Sequence, residues 1–467
     1  MVQHNEALLK RIAKLVRQNQ DLVEQHDKLS REHEKLQAKL DNFKLIMARM
    51  KEKGDLPDEK ELERPQSLKF KMATVLFANV HGFSRISDSM DSEKLMDELD
   101  TVLFKFDMLL KINNINKIKT IGDSYMCAGG IPVKNITNPI EVVMAALKMK
   151  QYLIKVRKRS GHDIWDLKIG IHTGPVTADI SGKKKVSYDI KGDTVNIASR
   201  MESSGEVGKI LISVMTYELV KEFFVCEYYG KLPVKYKGDL EMFSVNGLKP
   251  EYCVDGDPFT ANEQFDTKFK LIQFMDIQEM ILDRLEKELP RYLYYHNVKH
   301  TVDVVTEVEL IGWAEGCTDD EVLLLKTAGL FHDAGHTIDY DGHEELGCQL
   351  AKEFLPKYGY SEEQIGKICN IIMATEMPPK PSSLLEKIIC DADLDYLGRS
   401  DMIPVSNTLY KELNEQDKIG SFADWNKLQV KFISGHQYFT KTARSLREVN
   451  KQKQIERIKK LINGESQ

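Results

Sequence analysis

The chain has no apolar run long enough to cross a membrane. Its longest apolar stretch, around residues 140–149, falls far short of the roughly 20 residues a spanning helix needs. The first residues also lack the apolar core of a secretory leader, because charge begins within the first turn or two. Cysteine pairing is missing as well. The seven cysteines (127, 226, 253, 317, 348, 369 and 390) are scattered, odd in number and never spaced as Cys-x-x-Cys. That excludes a disulfide framework or a zinc knuckle and predicts free thiols in a reducing, cytoplasmic setting. Nor is there an excess of positive charge. A net charge of -6 argues against a nucleic-acid partner, whose binding surface would be basic. No membrane and no nucleic acid are therefore expected among its partners.

What is present divides the 467 residues into more than one core, since one ordinary domain is smaller. Residues 5–53 contain neither Gly nor Pro and repeat every seventh position. Leu8, Leu15, Leu22, Leu29, Leu36, Phe43 and Met50 form one seam row. Ile12, Asn19, His26, His33, Leu40 and Met47 fill the other. This is a heptad pattern over about six repeats. It predicts a coiled coil across residues 1–53, with Asn19 favouring a parallel homodimer in one register. Gly54, Pro57 and Pro65 then mark a charged linker over 54–69. From Phe70, strand-like runs (KMATVLFANV, KTIGDSYMCAGG, LKIGIHTGPVTADI) alternate with helical stretches, which predicts an α/β domain over 70–248. The Pro-, Gly- and Asp-rich segment around PEYCVDGDPFTANEQF reads as a second linker, 249–267. After it strand signals disappear, and 268–467 reads as all-helical.

In the α/β half, short polar segments interrupt the apolar strands. They bring forward Lys119 and Asp123 (KTIGDSY), then Asp189, Asn196 and Arg200 (YDIKGDTVNIASRMES). A carboxylate for Mg²⁺, cations for phosphates and an amide for a ribose make a set able to bind a nucleoside triphosphate. Residues 70–248 resemble the catalytic domain of class III adenylyl and guanylyl cyclases, with several motifs in the family's order. The resemblance implies a ferredoxin-like α/β fold whose sites form between two domains arranged head to tail. It also implies Mg²⁺ or Mn²⁺ as cofactor, with Asp123 as a metal ligand and Lys119 and Asp189 as the purine-reading pair in its adenine-selective form. Asn196 would orient the ribose, Arg200 would stabilise charge on the transferring phosphate, and Lys235 would contact the triphosphate. One position departs from the family. The first metal aspartate follows a Phe-Ala pair, and this chain has Phe77-Ala78-Asn79 there. A neutral amide stands where two cations need a shared negative ligand. Tyr236, where the family usually has Gly, is a smaller departure.

Histidine is concentrated in the other half. Five of the twelve histidines lie between positions 296 and 343. His296 and His300 are four apart, which predicts one shared helix face. His332 and Asp333 end an apolar helix, His336 follows one turn later, and CDADLDYLG adds Asp391, Asp393 and Asp395. Such a His/Asp set suits Zn²⁺, Fe, Mn²⁺ or Mg²⁺. These residues resemble the HD phosphohydrolase superfamily. By that resemblance His300, His332, Asp333 and Asp393 are metal ligands, with Asp333 bridging if a second ion binds and Asp393 preferred to Asp391. The Tyr-His-Asn-x-x-His segment is similar to the start of the cyclic-nucleotide phosphodiesterase signature, which gives His296 the role of proton donor to the leaving 3′ oxygen. His336 is expected at a second ion or behind the first, and His343-Glu344 is a further candidate. The resulting expectation is a multidomain signalling protein handling ATP and a cyclic nucleotide. Its first half either forms cyclic AMP or binds a nucleotide to regulate a hydrolase in its second.

Overall fold

The computed structural model describes residues 66–81, 92–112, 114–160, 166–181, 187–234 and 238–462. The heptad segment, with Asn19, His26 and His33, lies outside the described residues, as do Lys235 and Tyr236. Residues 69–178 and those from 189 onward form one compact unit.

In the α/β half the elements run β1 (Gln66–His81), α1 (Ser92–Ile112), β2 (Asn116–Ile121), β3 (Ser124–Gly129), α2 (Asn138–Ser160), β4 (Asp166–Ser181) and β5 (Ser187–Lys191). They continue as α3 (Asp193–Ser204), β6 (Ile210–Ser213), α4 (Val214–Val220), β7 (Phe224–Val234) and β8 (Gly238–Leu248). The main path of the sheet is β2-β3-β1-β4-β6-β8-β7. It is mixed: β4 and β6 are parallel, while β1–β3, β2–β3, β6–β8 and β7–β8 pair antiparallel. Strands such as β6 are buried along their whole length, which is why they read as continuous apolar runs instead of alternating ones. Helices α1 and α2 cover one face with Leu99, Phe106, Val143 and Leu147.

The segment that reads as a second linker is folded. Pro250–Tyr252 makes a tight turn, and β9 (Cys253–Val254) and β10 (Asp257–Ala261) form a small antiparallel hairpin. The composition signals turns correctly, but Tyr252 and Phe265 pack on Phe223, with ring centroids 5.7 and 5.3 Å away. That aromatic burial holds the stretch on the α/β core. Helix α5 (Glu263–Glu288) starts there, with Asn262 accepting the Phe265 N–H as its cap.

The helical half follows with α6 (Val298–Ala314), α7 (Asp319–Phe331), α8 (His343–Phe354), α9 (Glu362–Met373) and α10 (Leu384–Asp393). It ends with α11 (Met402–Glu415), α12 (Phe422–Gly435) and α13 (Lys441–Ile462). Helix α7, buried over Val322–Leu325 and Thr327–Phe331, is the central helix, contributing Val322, Leu325, Ala328 and Phe331 to the core. Among the described residues no helix is long and apolar enough to cross a membrane.

Candidate functional site

The helical half gathers its titratable residues around the C-terminal end of α7. His332 caps that helix and donates its Nδ1–H to the Gly329 carbonyl at 2.8 Å. This fixes the ring and aims Nε2 inward. There Nε2 lies 3.2 Å from Asp333 Oδ2, 3.3 Å from His300 Nε2 and 3.7 Å from Asp393 Oδ1. His300 Nε2 is 3.1 Å from Asp393 and 3.4 Å from Asp333. Four side chains, one from α6, one from α10 and two from the end of α7, thus meet at one point, and His300, His332 and Asp393 form a group able to hold a cation.

Of the three aspartates in CDADLD, only the middle one faces this point. Asp391 accepts the N–H groups of Phe439 and Thr440 and the Thr440 hydroxyl, at 2.7–2.8 Å. Asp395 binds Arg447 Nε at 2.5 Å. Asp393 is the one of the three that lies beside His300 and His332.

His296 and His300 do not share a helix face. Asn297 is the cap of α6, its side chain accepting the N–H groups of Lys299 and His300 at 2.8 and 3.2 Å. The helix therefore begins after His296, which lies in the preceding turn. From there His296 joins a second group with Asp333 and His336. The His336 ring stacks on that of His343 at 4.0 Å between centroids, and His343 Nε2 is 3.7 Å from Asp333 Oδ1 and 3.3 Å from Glu344. Both ring nitrogens of His336, at 2% exposure, lack a hydrogen-bond partner. Burial drives its pKa down to about 3, so it stays a neutral imidazole, the form that binds metal.

The electrostatics favour a cation at this place. Burial pushes His332 down, but Asp333 and Asp393 outweigh it and raise its pKa to about 9. Those carboxylates hold a proton on a buried ring, and a metal ion would take that proton's place. Asp333 Oδ2 has no hydrogen bond of its own. The donor set and its orphaned atoms fit a divalent ion.

Glu412 on α11 carries no signal in the sequence, yet it is fully buried. Its Oε1 accepts the His296 Nδ1–H at 2.5 Å, and its Oε2 accepts the N–H groups of Tyr295 and His296. Burial lowers the pKa of His296, but Asp333 and Glu412 together raise it. Both carboxylates thus favour the protonated form of the ring. His296 and Asp393 also form one end of a cavity of about 290 Å³ whose walls include Leu409, Trp425, Gln429 and Phe432. The Gln429 amide is 7% exposed, and its oxygen accepts the Ser406 hydroxyl at 2.5 Å.

In the α/β half the structure brings together Lys119 and Asp189, Nζ to Oδ1 at 2.9 Å, both about half exposed. Asp123 lies in the turn between β2 and β3, its carbonyl accepting the Val80 N–H at 3.2 Å. Asn79 on β1 stands opposite Ser124, next to it. Helix α3 carries Asn196 and Arg200 one turn apart, both exposed. A side chain at Gly170 on β4 would collide with the backbone of Ala198 and Glu202, so this glycine lets α3 lie directly on the sheet. The charge of Asp123 reaches Glu202 on the same helix, whose pKa is raised mainly by burial and further by that carboxylate. Among the described residues, both clusters of metal-binding donors lie in the helical half. Asp123 beside a neutral Asn79 does not fit a site for two cations.

Comparison with known proteins gives two matches. Residues 66–247 match the family described as "Adenylate and Guanylate cyclase catalytic domain", and residues 297–395 match the family described as "HD domain". An adenylate cyclase of Mycobacterium tuberculosis (strain ATCC 25618 / H37Rv) is 35% identical over 181 residues, 39% of this chain and 41% of that protein. Human guanylate cyclase soluble subunit beta-2 is 37% identical over 176 residues, 37% of this chain and 28% of that protein. The chain thus spans less than half the length of either relative. Among solved structures, the catalytic core of a rhodopsin-guanylyl cyclase with converted specificity, in complex with ATPalphaS, covers 38% of this chain and 97% of that one. Its identity is 33% and its TM-score 0.36.

Proposed function

From a chain that carries a class III adenylate and guanylate cyclase catalytic domain at residues 66–247 and an HD domain at residues 297–395, we propose a cyclic-nucleotide signalling enzyme. In this reading the HD domain hydrolyses a cyclic nucleotide, and the cyclase domain converts ATP to cyclic AMP and pyrophosphate. The observation that carries it is the convergence of His300, His332, Asp333 and Asp393 beside His296, at the end of a largely apolar cavity.

His300, His332, Asp333 and Asp393 would hold the metal, with His336 and His343 available to a second ion. A bound divalent ion supplies Lewis acidity at a phosphoryl oxygen and acidifies water. The cavity takes the base, with Trp425 and Phe432 offering aromatic surface and the Gln429 amide a hydrogen bond. As a water oxygen bonds to phosphorus, the bond to the 3′ oxygen breaks. His296 gives that oxygen its proton, and Glu412 balances the charge on the ring and holds its direction.

In the cyclase domain Lys119 and Asp189 read adenine, Asn196 orients the ribose, Arg200 meets the transferring phosphate and Lys235 the triphosphate. Two such domains in a homodimer complete each other's sites. Asn79 favours a second reading, in which this domain binds ATP without turning it over and biases the HD domain through different nucleotide affinities in two states.

Incubation of the full chain with ATP and Mn²⁺ separates the two. Cyclic AMP that accumulates when His332→Ala disables the HD site, and vanishes with Arg200→Ala, supports the first reading. Cyclic AMP that appears only after Asn79→Asp leaves the second standing. The HD assignment itself is checked by elemental analysis: His332→Ala and Asp333→Asn are expected to lose bound metal. A wild type that binds metal fully yet hydrolyses no cyclic nucleotide contradicts it.

A further inference from the structure

All seven cysteines are free thiols, and two of them meet across a seam between helices. Cys348 lies on α8 and Cys369 on α9, 21 residues apart in the chain. Neither belongs to the His/Asp clusters. Each thiol lies against the other's backbone: Cys348 Sγ is 3.5 Å from the Cys369 carbonyl oxygen, and Cys369 Sγ is 3.8 Å from that of Cys348. The Cys348 thiol also shares its hydrogen with the Cys369 sulfur.

A covered cysteine is ordinarily an inert, small apolar side chain. Five of the seven fit that description: burial raises the pKa of Cys127, Cys226, Cys253, Cys317 and Cys390. Cys369 departs from it. The hydrogen bond from Cys348 lowers its pKa, burial opposes, and the Lys352 charge lowers it further. The same bond raises Cys348. One sulfur is thus the readier to ionise while its neighbour holds the proton, as an attacking and a resolving thiol do. The pair lies one layer beneath the surface. At 4% and 8% exposure the two residues are covered, but Glu345 and Lys352 on α8 and Asn370 and Met373 on α9 are exposed around them. A side chain placed at Gly366, one turn before Cys369, would meet nothing within 4 Å, so open space begins there.

We propose that Cys348 and Cys369 are a reversible oxidation site, which a peroxide converts to a disulfide that fastens α8 to α9. The Cys369 thiolate attacks one peroxide oxygen as the O–O bond breaks, giving a sulfenic acid and a hydroxide that takes up a proton to become water. The Cys348 sulfur then attacks the Cys369 sulfur. The S–S bond forms, the S–O bond breaks, and the hydroxyl leaves as a second water with the Cys348 proton. Two thiols together lose two electrons, and one peroxide is reduced to two waters; a dithiol reverses the change. Helix α8 begins with His343, whose Nε2 is 3.7 Å from Asp333, and its Gly347 packs on the Phe331 carbonyl. The link therefore restrains the helix that borders the HD cluster. Where the surroundings are reducing, a disulfide of this kind is transient and senses oxidant.

The full chain, reduced and then treated with hydrogen peroxide, is capped with N-ethylmaleimide and mapped as peptides without reduction. A Cys348–Cys369 cross-link is expected as the main product, and dithiothreitol should remove it. The oxidised protein should unfold roughly 5 °C above the reduced one, because the link closes a loop in the unfolded chain. Dithiothreitol should abolish that gain. In Cys348→Ala, dimedone should trap a sulfenic acid at Cys369; in Cys369→Ala, peroxide should leave Cys348 a thiol. The wild-type map decides the matter by itself if either variant fails to fold. Peroxide that spares both thiols, carries them to sulfinic acid without a cross-link, or pairs either with another cysteine overturns the proposal. A cross-link that leaves the unfolding midpoint unchanged overturns the fastening of α8 to α9.

Discussion

Glu412 illustrates how a single residue decides what a histidine can do. His296 is buried next to Asp333, and the Glu412 carboxylate at 2.5 Å both aims its ring and helps hold its proton. Substitution Glu412→Gln keeps the hydrogen-bonding shape but removes the charge. Losing it lowers the pKa of His296, so the protonated ring disappears at a lower pH than in the wild type. The expected result is a fall in kcat/KM of roughly tenfold, with the alkaline limb of its pH profile moved toward acid. An unchanged alkaline limb would remove His296 from the proton-donor role. The His/Asp cluster was legible because its members come in short-range pairs, such as His332-Asp333 and His296 with His300. Glu412 was not, because 116 residues separate it from its partner and nothing in its own helix marks it.

At the scale of elements, the site depends on how closely α8 approaches the end of α7. Two glycines permit it. A side chain at Gly335 would collide with the His343 carbonyl, and one at Gly347 would meet the Phe331 carbonyl. The approach is what brings His343 within 3.7 Å of Asp333. Gly335→Ala should therefore push α8 away, at a cost of roughly 1–3 kcal/mol. A lower unfolding midpoint and less than half the wild-type metal content are the expected readings. A variant that keeps its metal would show that the segment yields elsewhere. The same scale holds the difference at α6. Spacing alone put His296 and His300 on one face, but an asparagine between them is a cap, and its side chain starts the helix after His296.

For the whole molecule the decisive element is α5. Its first turns bury Phe265 in the cyclase core, and its later turns bury Phe274, Ile277 and Ile281 in the HD core. A continuous helix joins the halves, with Glu141 of α2 buried beside it. Glu141 is raised by burial from its ordinary 4.5 to about 7. In the folded protein it therefore binds a proton more tightly than in the unfolded chain. Its contribution is complete below about pH 4.5 and is lost as the pH rises through about 7. Between pH 5 and 8 that loss amounts to roughly 3 kcal/mol, and Glu141→Gln should lack it. Denaturant midpoints of wild type and variant, compared at both pH values, check this; parallel pH slopes would contradict it.

Sequence alone determined the division into an α/β half and a helical half, because the periods of two and of 3.6 residues are local properties of the chain. Residue types and spacing also pointed to most of the His and Asp side chains that the fold brings together. Only the tertiary structure showed what occupies the two flanking aspartates, Asp391 and Asp395, because their partners lie about fifty positions away. It alone revealed that the apparent linker packs as a hairpin. Folding decides such matters because burial and pairing join residues that the chain keeps far apart, and no local pattern records their meeting.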